Sequence, residues 1–368
     1  MTAIQLNNMV KQYPGGVEAV SGVSATVHDG EFVTLVGPSG CGKTTTLRTI
    51  AGFETPTTGK VKIGDKVMNN VPPDKRNIGM VFQDFALFPH MTVEENVGYG
   101  LRVQGKDEEY IEKRVKQMLQ LVELTETADR KPDQLSGGQQ QRIALARALA
   151  PEPSVLLLDE PLASLDKKLR ETMQVELRKI QKELDITTLL VTHNQKEALT
   201  MSDRVVVMND GEFEQIGKPK EVYSNPATPF VADFVGTANL FNGKISEVND
   251  GMATIKCDEI TIKSSVDITA SRGKSVTAAI RPENINITDS VYATDGSGET
   301  DRAKEKKTII KGVVDLLQYN GDQVEFHIIT DCGHSITSVE SINTVDVHSG
   351  DEVQVSIPAD KVHLFPES

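Results

Sequence analysis

The segment GPSGCGKT, residues 37 to 44, combines glycines, a lysine and a threonine in a spacing that suits phosphate binding. It fits the pattern G-x-x-x-x-G-K-[ST] and lies between a short apolar run and a helical pattern, which predicts strand, loop and helix. In such a loop the backbone N–H groups point at phosphate oxygens, Lys43 reaches the terminal phosphates, and the Thr44 hydroxyl can bind Mg²⁺. The predicted phosphate loop, extended by one threonine, consists of Gly37, Pro38, Ser39, Gly40, Cys41, Gly42, Lys43, Thr44 and Thr45.

Carboxylates and a histidine end two further apolar runs. VLLLDE, residues 155 to 160, ends in Asp159 and Glu160, and LLVTH ends in His193. Because parallel strands open their carboxyl ends onto one ligand crevice, we expect these side chains to face the phosphate loop. Asp159 suits the metal, Glu160 suits a general base for the attacking water, and His193 suits a hydrogen bond to the γ-phosphate. A solvated acidic strand end and a merely structural histidine are the alternatives.

Gln83, in GMVFQDF, follows another strand-like run and is a candidate for the Mg²⁺ and water shell. By itself this glutamine is a weak signal, and only its place after a strand connects it with the phosphate loop.

The segment LSGGQQQRIALAR, residues 135 to 147, places two glycines at the start of a helical pattern. The free N–H groups of a first helical turn can hold an anion, and glycines let its backbone approach closely. A simple helix boundary would also explain the glycines. The predicted anion-binding residues of this signature segment are Ser136, Gly137, Gly138 and Gln139.

The order of apolar runs predicts an α/β core with a helical insertion and a separate β domain. Runs at 154–158 and 186–193 flank a helical pattern at 167–184, which indicates a parallel sheet with covered faces. The predicted stripe of that helix consists of Leu169, Met173, Leu177, Ile180 and Leu184. Residues 84–152 contain helical spacing, with Ile111, Val115, Met118 and Val122 on one face. From about residue 238, short alternating runs such as VEFHIIT and DEVQVSI predict strands.

Composition argues against several classes of protein. The 368 residues carry a formal net charge of −14 and a sequence pI near 5.1, which argues against binding to duplex nucleic acid. Three cysteines without metal-like spacing argue against a disulfide-rich secreted fold. The sequence shows neither a signal-peptide pattern nor an apolar run long enough for a membrane helix. We therefore expect a soluble chain that depends on another chain for any membrane span.

The motifs together resemble the ATP-binding-cassette ATPases over residues 4 to about 237. The resemblance makes GPSGCGKTT the Walker A motif, VLLLDEP Walker B, LSGGQ the family signature and SLD at 164–166 the D-loop. It implies that Tyr13 stacks on adenine, Gln83 forms the Q-loop and His193 is the switch histidine. It also implies that two cassettes pair head to tail, so that the signature segment of one subunit caps the ATP held by the other.

The resemblance is greater to the importer ATPases of the polyamine, iron, sulfate and maltose group. RPENI at 281–285 matches a segment of their regulatory domain. The expected architecture is an α/β P-loop NTPase core, residues 1–237, with a helical subdomain at about 84–152, followed by an all-β, oligonucleotide-binding (OB)-like barrel domain at 238–368. Asn194 stands where this group usually has Asp, and LASLD replaces the commoner LSNLD.

This group resemblance implies ATP with Mg²⁺ and several protein partners. They are a second ATPase subunit, the same chain or a paralogue, transmembrane permease subunits and, indirectly, an extracytoplasmic solute-binding protein. The chain would be peripheral on the cytoplasmic face of the cell membrane, with polyamine cargo slightly favoured by TANLFNG at 237–243. Core packing is the alternative for the residues that would contact the permease, which are Phe85, Leu87, Phe88 and Pro89.

Three other functions remain as alternatives. A soluble cassette protein of DNA repair or translation would carry a coiled-coil insertion or two fused cassettes, which this sequence lacks. A nucleic-acid-binding barrel would need lysines and arginines clustered among aromatics. An exporter would not carry the regulatory barrel.

Overall fold

The computed structural model describes residues 3–249, 251–265, 272–289, 306–342 and 347–367. The chain divides into two compact units, Met1–Ser224 and Asn225–Ser368. The predicted boundary at 237/238 lies farther along the chain. The difference arises because residues 229–234 form a helix that packs against strands of the second unit.

The first unit contains two sheets and seven helices among its described residues. The strands are β1 (Ile4–Gln12), β2 (Glu18–Val27), β3 (Phe32–Val36), β4 (Thr58–Ile63), β5 (Lys66–Val67), β6 (Ile78–Val81), β7 (Val155–Asp159), β8 (Thr187–Thr192), β9 (Arg204–Asn209) and β10 (Glu212–Gly217). The helices are α1 (Lys43–Ala51), α2 (Val93–Val103), α3 (Glu108–Leu121), α4 (Gly137–Leu149), α5 (Lys167–Leu184), α6 (Gln195–Met201) and α7 (Pro219–Ser224).

The central sheet has the order β10-β9-β3-β8-β7-β6, and all of its pairings except β10 with β9 are parallel. Every residue of β3, β7 and β8 is buried, as expected for strands covered on both faces. The predicted strands at 154–158 and 186–193 are confirmed as β7 and β8 within two residues at each end.

Three helices, α2, α3 and α4, form the inserted helical region. The four residues predicted for one face of α3 and its end, Ile111, Val115, Met118 and Val122, are buried in one core with α2 and α4. On α5 the predicted stripe is buried at Met173, Leu177 and Ile180 and half-buried at Leu169. Leu184 is exposed because it is the last helical residue, before Asp185 turns the chain with a φ of 48°.

An antiparallel sheet of order β2-β1-β4-β5 was not predicted from the sequence. Its alternation is disturbed in β1, where Asn8 has a φ of 45° and the register with β2 shifts between Leu6 and Met9. A period-2 pattern interrupted in this way gives little strand signal.

The second unit is built almost entirely of antiparallel strands. It begins with α8 (Pro229–Phe234), and its strands are β11 (Asn239–Asn249), β12 (Met252–Cys257), β13 (Ile260–Ser264), β14 (Ser275–Ile280), β15 (Asn286–Asp289), β16 (Lys307–Tyr319), β17 (Gln323–Thr330), β18 (Ser335–Ser341), β19 (Glu352–Pro358) and β20 (Val362–Pro366). Two five-stranded sheets, β13-β12-β11-β14-β20 and β15-β19-β16-β17-β18, share one apolar core. The all-β prediction is thereby confirmed.

None of the described helices combines the length and apolar character that a membrane crossing requires.

Arg76 holds the carboxyl end of α1 although it is almost fully buried. Its guanidinium donates hydrogen bonds of 2.8 and 2.7 Å to the carbonyl oxygens of Thr49 and Ile50. Two more, of 2.6 and 2.7 Å, go to the carbonyl oxygens of Met68 and Val71. Burial lowers the pKa of Arg76, but its charge faces the negative end of the α1 dipole and is spread over four acceptors.

We expect Arg76→Met to lower the free energy of unfolding of the first unit by about 3 kcal/mol, because buried carbonyl oxygens lose their donors. Calorimetric unfolding of the whole chain measures the change. The control is Arg102→Met, which removes an exposed ion pair of 3.1 Å with Glu108 and is expected to cost less than about 1 kcal/mol. Equal transition temperatures for the two variants would contradict this role of Arg76.

Candidate nucleotide-binding site

The phosphate loop, residues 37–45, connects β3 to α1 and has two positions that exclude a side chain. At Gly37 a Cβ atom would lie 2.1 Å from the carbonyl oxygen of Met208, and at Gly42 it would lie 2.2 Å from that of Ala19. Gly42 also has a φ of 106°, in the region that favours glycine. The loop is therefore pressed against neighbouring backbone at both glycines.

Lys43 is buried at the start of α1 and folds back over the loop. Its Nζ donates hydrogen bonds of 2.9 and 2.7 Å to the carbonyl oxygens of Gly37 and Pro38. These two bonds keep the ammonium beside the loop, where a phosphate oxygen would find it.

Thr44 and Asp159 bring two oxygen donors together at the carboxyl end of β7. The Thr44 hydroxyl donates a hydrogen bond of 3.4 Å to Oδ1 of Asp159. Burial raises the pKa of Asp159, with a smaller contribution from the charge of Glu160, while Arg48 and Thr44 act in the opposite direction. Hard oxygen donors of this kind suit Mg²⁺, which usually takes few protein ligands. No group of three His, Cys, Asp or Glu side chains among the described residues could hold a metal ion alone.

Glu160 and the phosphate loop line one cavity of about 220 Å³. The other lining residues are Ala19, Ser39, Gly40, Gly42, Lys43, Thr44 and Thr45. The structure thus brings the predicted carboxylate of one strand end and the predicted loop of another to the same opening.

Glu160 is held in an unusual backbone conformation and pairs with His193. Its φ of 46° lies in the left-handed region, and its N–H donates to the carbonyl oxygen of Val191 in β8 at 2.9 Å. Its Oε2 lies 3.0 Å from Nδ1 of His193, whose side chain is 55% exposed. With an ionised carboxylate as acceptor, the imidazole hydrogen is on Nδ1, so Nε2 remains available to another group.

Tyr13 lies beside the phosphate loop, with its hydroxyl 3.5 Å from that of Thr45. The Nζ of Lys11 is 5.0 Å from the centre of the Tyr13 ring and pairs with Glu54 at 2.7 Å. An ammonium over a ring fixes its orientation by a cation–π contact. The half-buried ring is thus oriented next to the loop.

Gln83 is not joined to the other predicted site residues. It follows β6, is exposed, and forms no hydrogen bond to any residue that the structure describes. Only its position after a strand of the parallel sheet places it at the same edge.

The signature segment forms the amino end of α4, capped by its own side chains. The Gln139 N–H donates to the Ser136 hydroxyl at 3.4 Å, and Oε1 of Gln139 accepts from the Ser136 N–H at 2.9 Å. Ser136 and Gly137 are exposed, whereas a Cβ at Gly138 would meet the Leu169 side chain at 2.9 Å. No hydrogen bond in the described part of the chain joins residues 136–139 to the phosphate loop.

The four residues predicted to contact a permease differ in exposure. Phe85 is buried in the core of the helical region, the alternative left open from the sequence, whereas Pro89 is exposed. Leu87 and Phe88 are half-buried, and the Phe88 ring packs on Tyr99 with centroids 4.6 Å apart. Phe85 therefore does not form part of the predicted contact surface, because apolar core contacts rather than solvent surround its ring.

Two residues that hold the segment 85–89 are not predicted from the sequence. Arg147 of α4 donates to the carbonyl oxygens of Phe85 and Ala86 at 2.8 and 2.5 Å, and both acceptors belong to residues with positive φ. The buried Asn96 accepts from the Phe88 N–H at 2.8 Å and donates to its carbonyl oxygen at 3.1 Å. An asparagine within an otherwise apolar helix face was the available sequence signal.

Family models and relatives match the chain over most of its length. A model described as ABC transporter matches residues 20–163, and one described as TOBE domain matches residues 278–365. The Spermidine/putrescine import ATP-binding protein PotA of Marinobacter nauticus is 43% identical over 362 residues, 96% of this chain and 93% of the relative. The protein of that name from Thermobifida fusca is 50% identical over 290 residues, 77% of this chain and 75% of the relative.

Solved structures agree with these matches. A dimeric structure of the ATP-binding cassette MJ0796 bound to ADP and Pi is 38% identical, with a TM-score of 0.53, and covers 59% of this chain and 98% of its own. The cbiO1 structure from Clostridium perfringens, part of the ABC transporter complex cbiONQ, is 31% identical with a TM-score of 0.57 over 61% of this chain and 91% of its own. With its motifs, its fold and these relatives, the chain belongs to the ABC transporter family of ATP-hydrolysing, ATP-binding subunits that carry a TOBE domain.

Proposed function

We propose that this chain hydrolyses ATP as the energy-coupling subunit of a polyamine importer. The observation that carries the ATPase role is the cavity shared by Glu160 and the phosphate loop, with His193 hydrogen-bonded to Glu160. The name shared by these relatives, spermidine/putrescine import ATP-binding protein, supports the cargo.

Each predicted residue has a role that its position allows. Backbone N–H groups of residues 37–45 and the Lys43 ammonium bind the phosphates, and Tyr13 stacks on adenine. Glu160 orients the attacking water and takes its proton. His193, fixed by its Nδ1 bond to Glu160, directs Nε2 toward the γ-phosphate. Gln83 completes the water shell from the neighbouring strand end once the site is closed.

Thr44 and Asp159 would hold Mg²⁺, and Gln83 would contribute through water. When bound, the ion neutralises charge on the phosphate oxygens. Asp159 supports this assignment because a buried carboxylate with a raised pKa gains most from a nearby cation.

A second ATPase subunit completes the site. The exposed Ser136 and Gly137 at the amino end of α4 would bind the γ-phosphate of the ATP held by the partner, where the helix dipole favours negative charge. Gly138 packs against Leu169 and keeps the helix close to α5. The capping bonds of this turn use the N–H groups of Ser136 and Gln139 rather than those of Gly137 and Gly138. The dimeric form of the related cassette supports this pairing.

The importer's other chains supply the membrane passage. Permease subunits would contact Leu87, Phe88 and Pro89, with Phe85 as the buried support of that loop, and a solute-binding protein would act through the permease. The chain would thus lie on the cytoplasmic face of the cell membrane. The TOBE unit would regulate or stabilise the ATPase pair rather than bind nucleic acid, since the chain carries a net charge of −14.

Glu160→Gln keeps the side-chain shape and removes the base, so we expect ATP turnover to fall about 10²-fold or more while ATP binding persists. Turnover of the purified protein and titration with a fluorescent ATP analogue measure the two quantities. The variant should also accumulate as an ATP-bound dimer. Near-normal turnover would show that another group accepts the proton.

Cells that lack their own polyamine uptake should import labelled spermidine when given this chain together with the permease and binding-protein subunits of its own importer. The same cells with Glu160→Gln serve as control, because that variant is expected to assemble while its ATP turnover is reduced about 10²-fold or more. Uptake of a sugar or sulfate instead of spermidine, abolished in the same control, would keep the importer and reject the polyamine cargo.

If the signature segment acts in the ATP site of the partner subunit, two tethered dimers should differ in ATP turnover. With Ser136→Arg in one subunit and Lys43→Ala in the other, both substitutions affect the same shared ATP site, and the second ATP site stays intact. With both substitutions in one subunit, one substitution falls on each of the two ATP sites, so both sites are damaged. We expect residual ATP turnover in the first dimer and none in the second; the reverse pattern would mean that each subunit builds its site alone.

A further inference from the structure

Glu197 is a nearly fully buried carboxylate, 3% exposed, four residues after His193. No role was predicted for it. It lies in the first turn of α6, the helix that follows β8 and His193. Burying a carboxylate is costly unless donors satisfy it, so its partners indicate what it does.

Two of these partners flank His193 in the chain. The Thr192 hydroxyl donates to Oε2 of Glu197 at 2.8 Å, and the side-chain amide of Asn194 donates to Oε1 at 3.2 Å. The Thr192 hydroxyl oxygen also accepts from the backbone N–H of Asn194 at 3.0 Å. These three bonds close a ring around the backbone of His193.

A third partner connects this ring with the segment after β7. Nε of Arg170 lies 3.9 Å from Oε1 of Glu197. The same guanidinium donates to the carbonyl oxygens of Leu162 and Leu165 at 3.3 and 2.7 Å. Glu197 is therefore anchored to the segment 162–165, which follows Glu160 closely in the chain.

The imidazole of His193 itself has little support. It is more than half exposed, and its one hydrogen bond within the described residues is the 3.0 Å contact with Glu160. Its orientation therefore depends on its backbone, which the ring of Thr192, Asn194 and Glu197 holds from both sides. Burial raises the pKa of Glu197, and the Thr192 hydroxyl and the charge of Arg170 oppose that shift.

We propose that Glu197 is a positioning residue of the ATPase, which acts by holding His193 against Glu160. The inference rests on the proposed role of His193 in ATP hydrolysis. Asn194 fits this arrangement because its amide donates to Glu197, whereas the Asp usual in similar chains offers no donor unless protonated.

The variant Glu197→Gln tests this role. A Gln side chain keeps one acceptor oxygen but loses the charge that attracts Arg170 and the Asn194 amide. The Thr192 hydroxyl, which already accepts from the Asn194 N–H, would have to reverse and accept from the Gln amide as well, so the ring is weakened. We expect kcat for ATP to fall about tenfold to a hundredfold, with KM within about twofold, because misorientation affects the transition state more than nucleotide binding. The matched control is Glu171→Gln, an exposed carboxylate on α5, and it should keep wild-type kinetics.

A double variant separates positioning from a general structural effect. If Glu197 acts through His193, adding Glu197→Gln to His193→Ala should cause no further loss of turnover. Multiplied losses, or a kcat of Glu197→Gln equal to that of Glu171→Gln, would overturn the inference. Should Glu197→Gln not fold, Thr192→Val opens the same ring with little change in shape and is judged by the same two criteria. Full activity of His193→Ala would instead refute the proposed role of His193.

Discussion

The register of three parallel strands is the constraint on which the site depends. Val36 of β3 pairs with Thr192 of β8, and Asp159 of β7 pairs with Val191 of the same strand. The residues that come next in each strand, Gly37, His193 and Glu160, therefore emerge side by side at one edge. A one-residue slip of β7 would turn Asp159, its last residue, to the opposite face of the sheet and would displace Glu160. Complete burial of these strands makes such a slip costly.

A second feature of the first unit is a pair of buried cations that, among the residues the structure describes, form no hydrogen bond with a carboxylate. Lys43 at the start of α1 and Arg76 at its end both donate to main-chain carbonyl oxygens. Each ammonium or guanidinium is thus satisfied by neutral acceptors. At Lys43 this leaves the positive charge free to attract phosphate, while at Arg76 it stabilises the helix that carries the loop. The same chemistry serves binding at one end of α1 and stability at the other.

The helical region is attached to the core at points that govern the orientation of α4. Gly138 accommodates Leu169, and Arg142 of α4 contacts Glu176 of α5 at 3.0 Å. Arg147, farther along α4, fixes the loop after Gln83. One helix therefore carries the signature segment at its beginning and supports the predicted permease-contact loop near its end, so a rotation of α4 would move both.

From the sequence alone, the chemistry of the site and the class of each unit could be determined. Lys43 and Thr44 follow glycines, and Asp159 and Glu160 follow an apolar run. This predicts that the four residues lie near one another, because the local pattern determines where each strand ends and a parallel sheet brings the strand ends together. Apolar residues recur with a period of 3.6 on α3 and of 2 on β17 and β19, because those positions face the core. These predictions depend on short stretches of chain.

Only the tertiary structure decided the partners of residues far apart in sequence. Nothing local shows that Phe85 turns into the core, that Arg76 reaches the end of α1, or that α8 packs on the second unit, because burial is a property of the whole fold. Glu197 could not be distinguished from any helical glutamate until Thr192, Asn194 and Arg170 surrounded it. Long-range packing determines which polar groups lose water, and that loss determines which contacts must form.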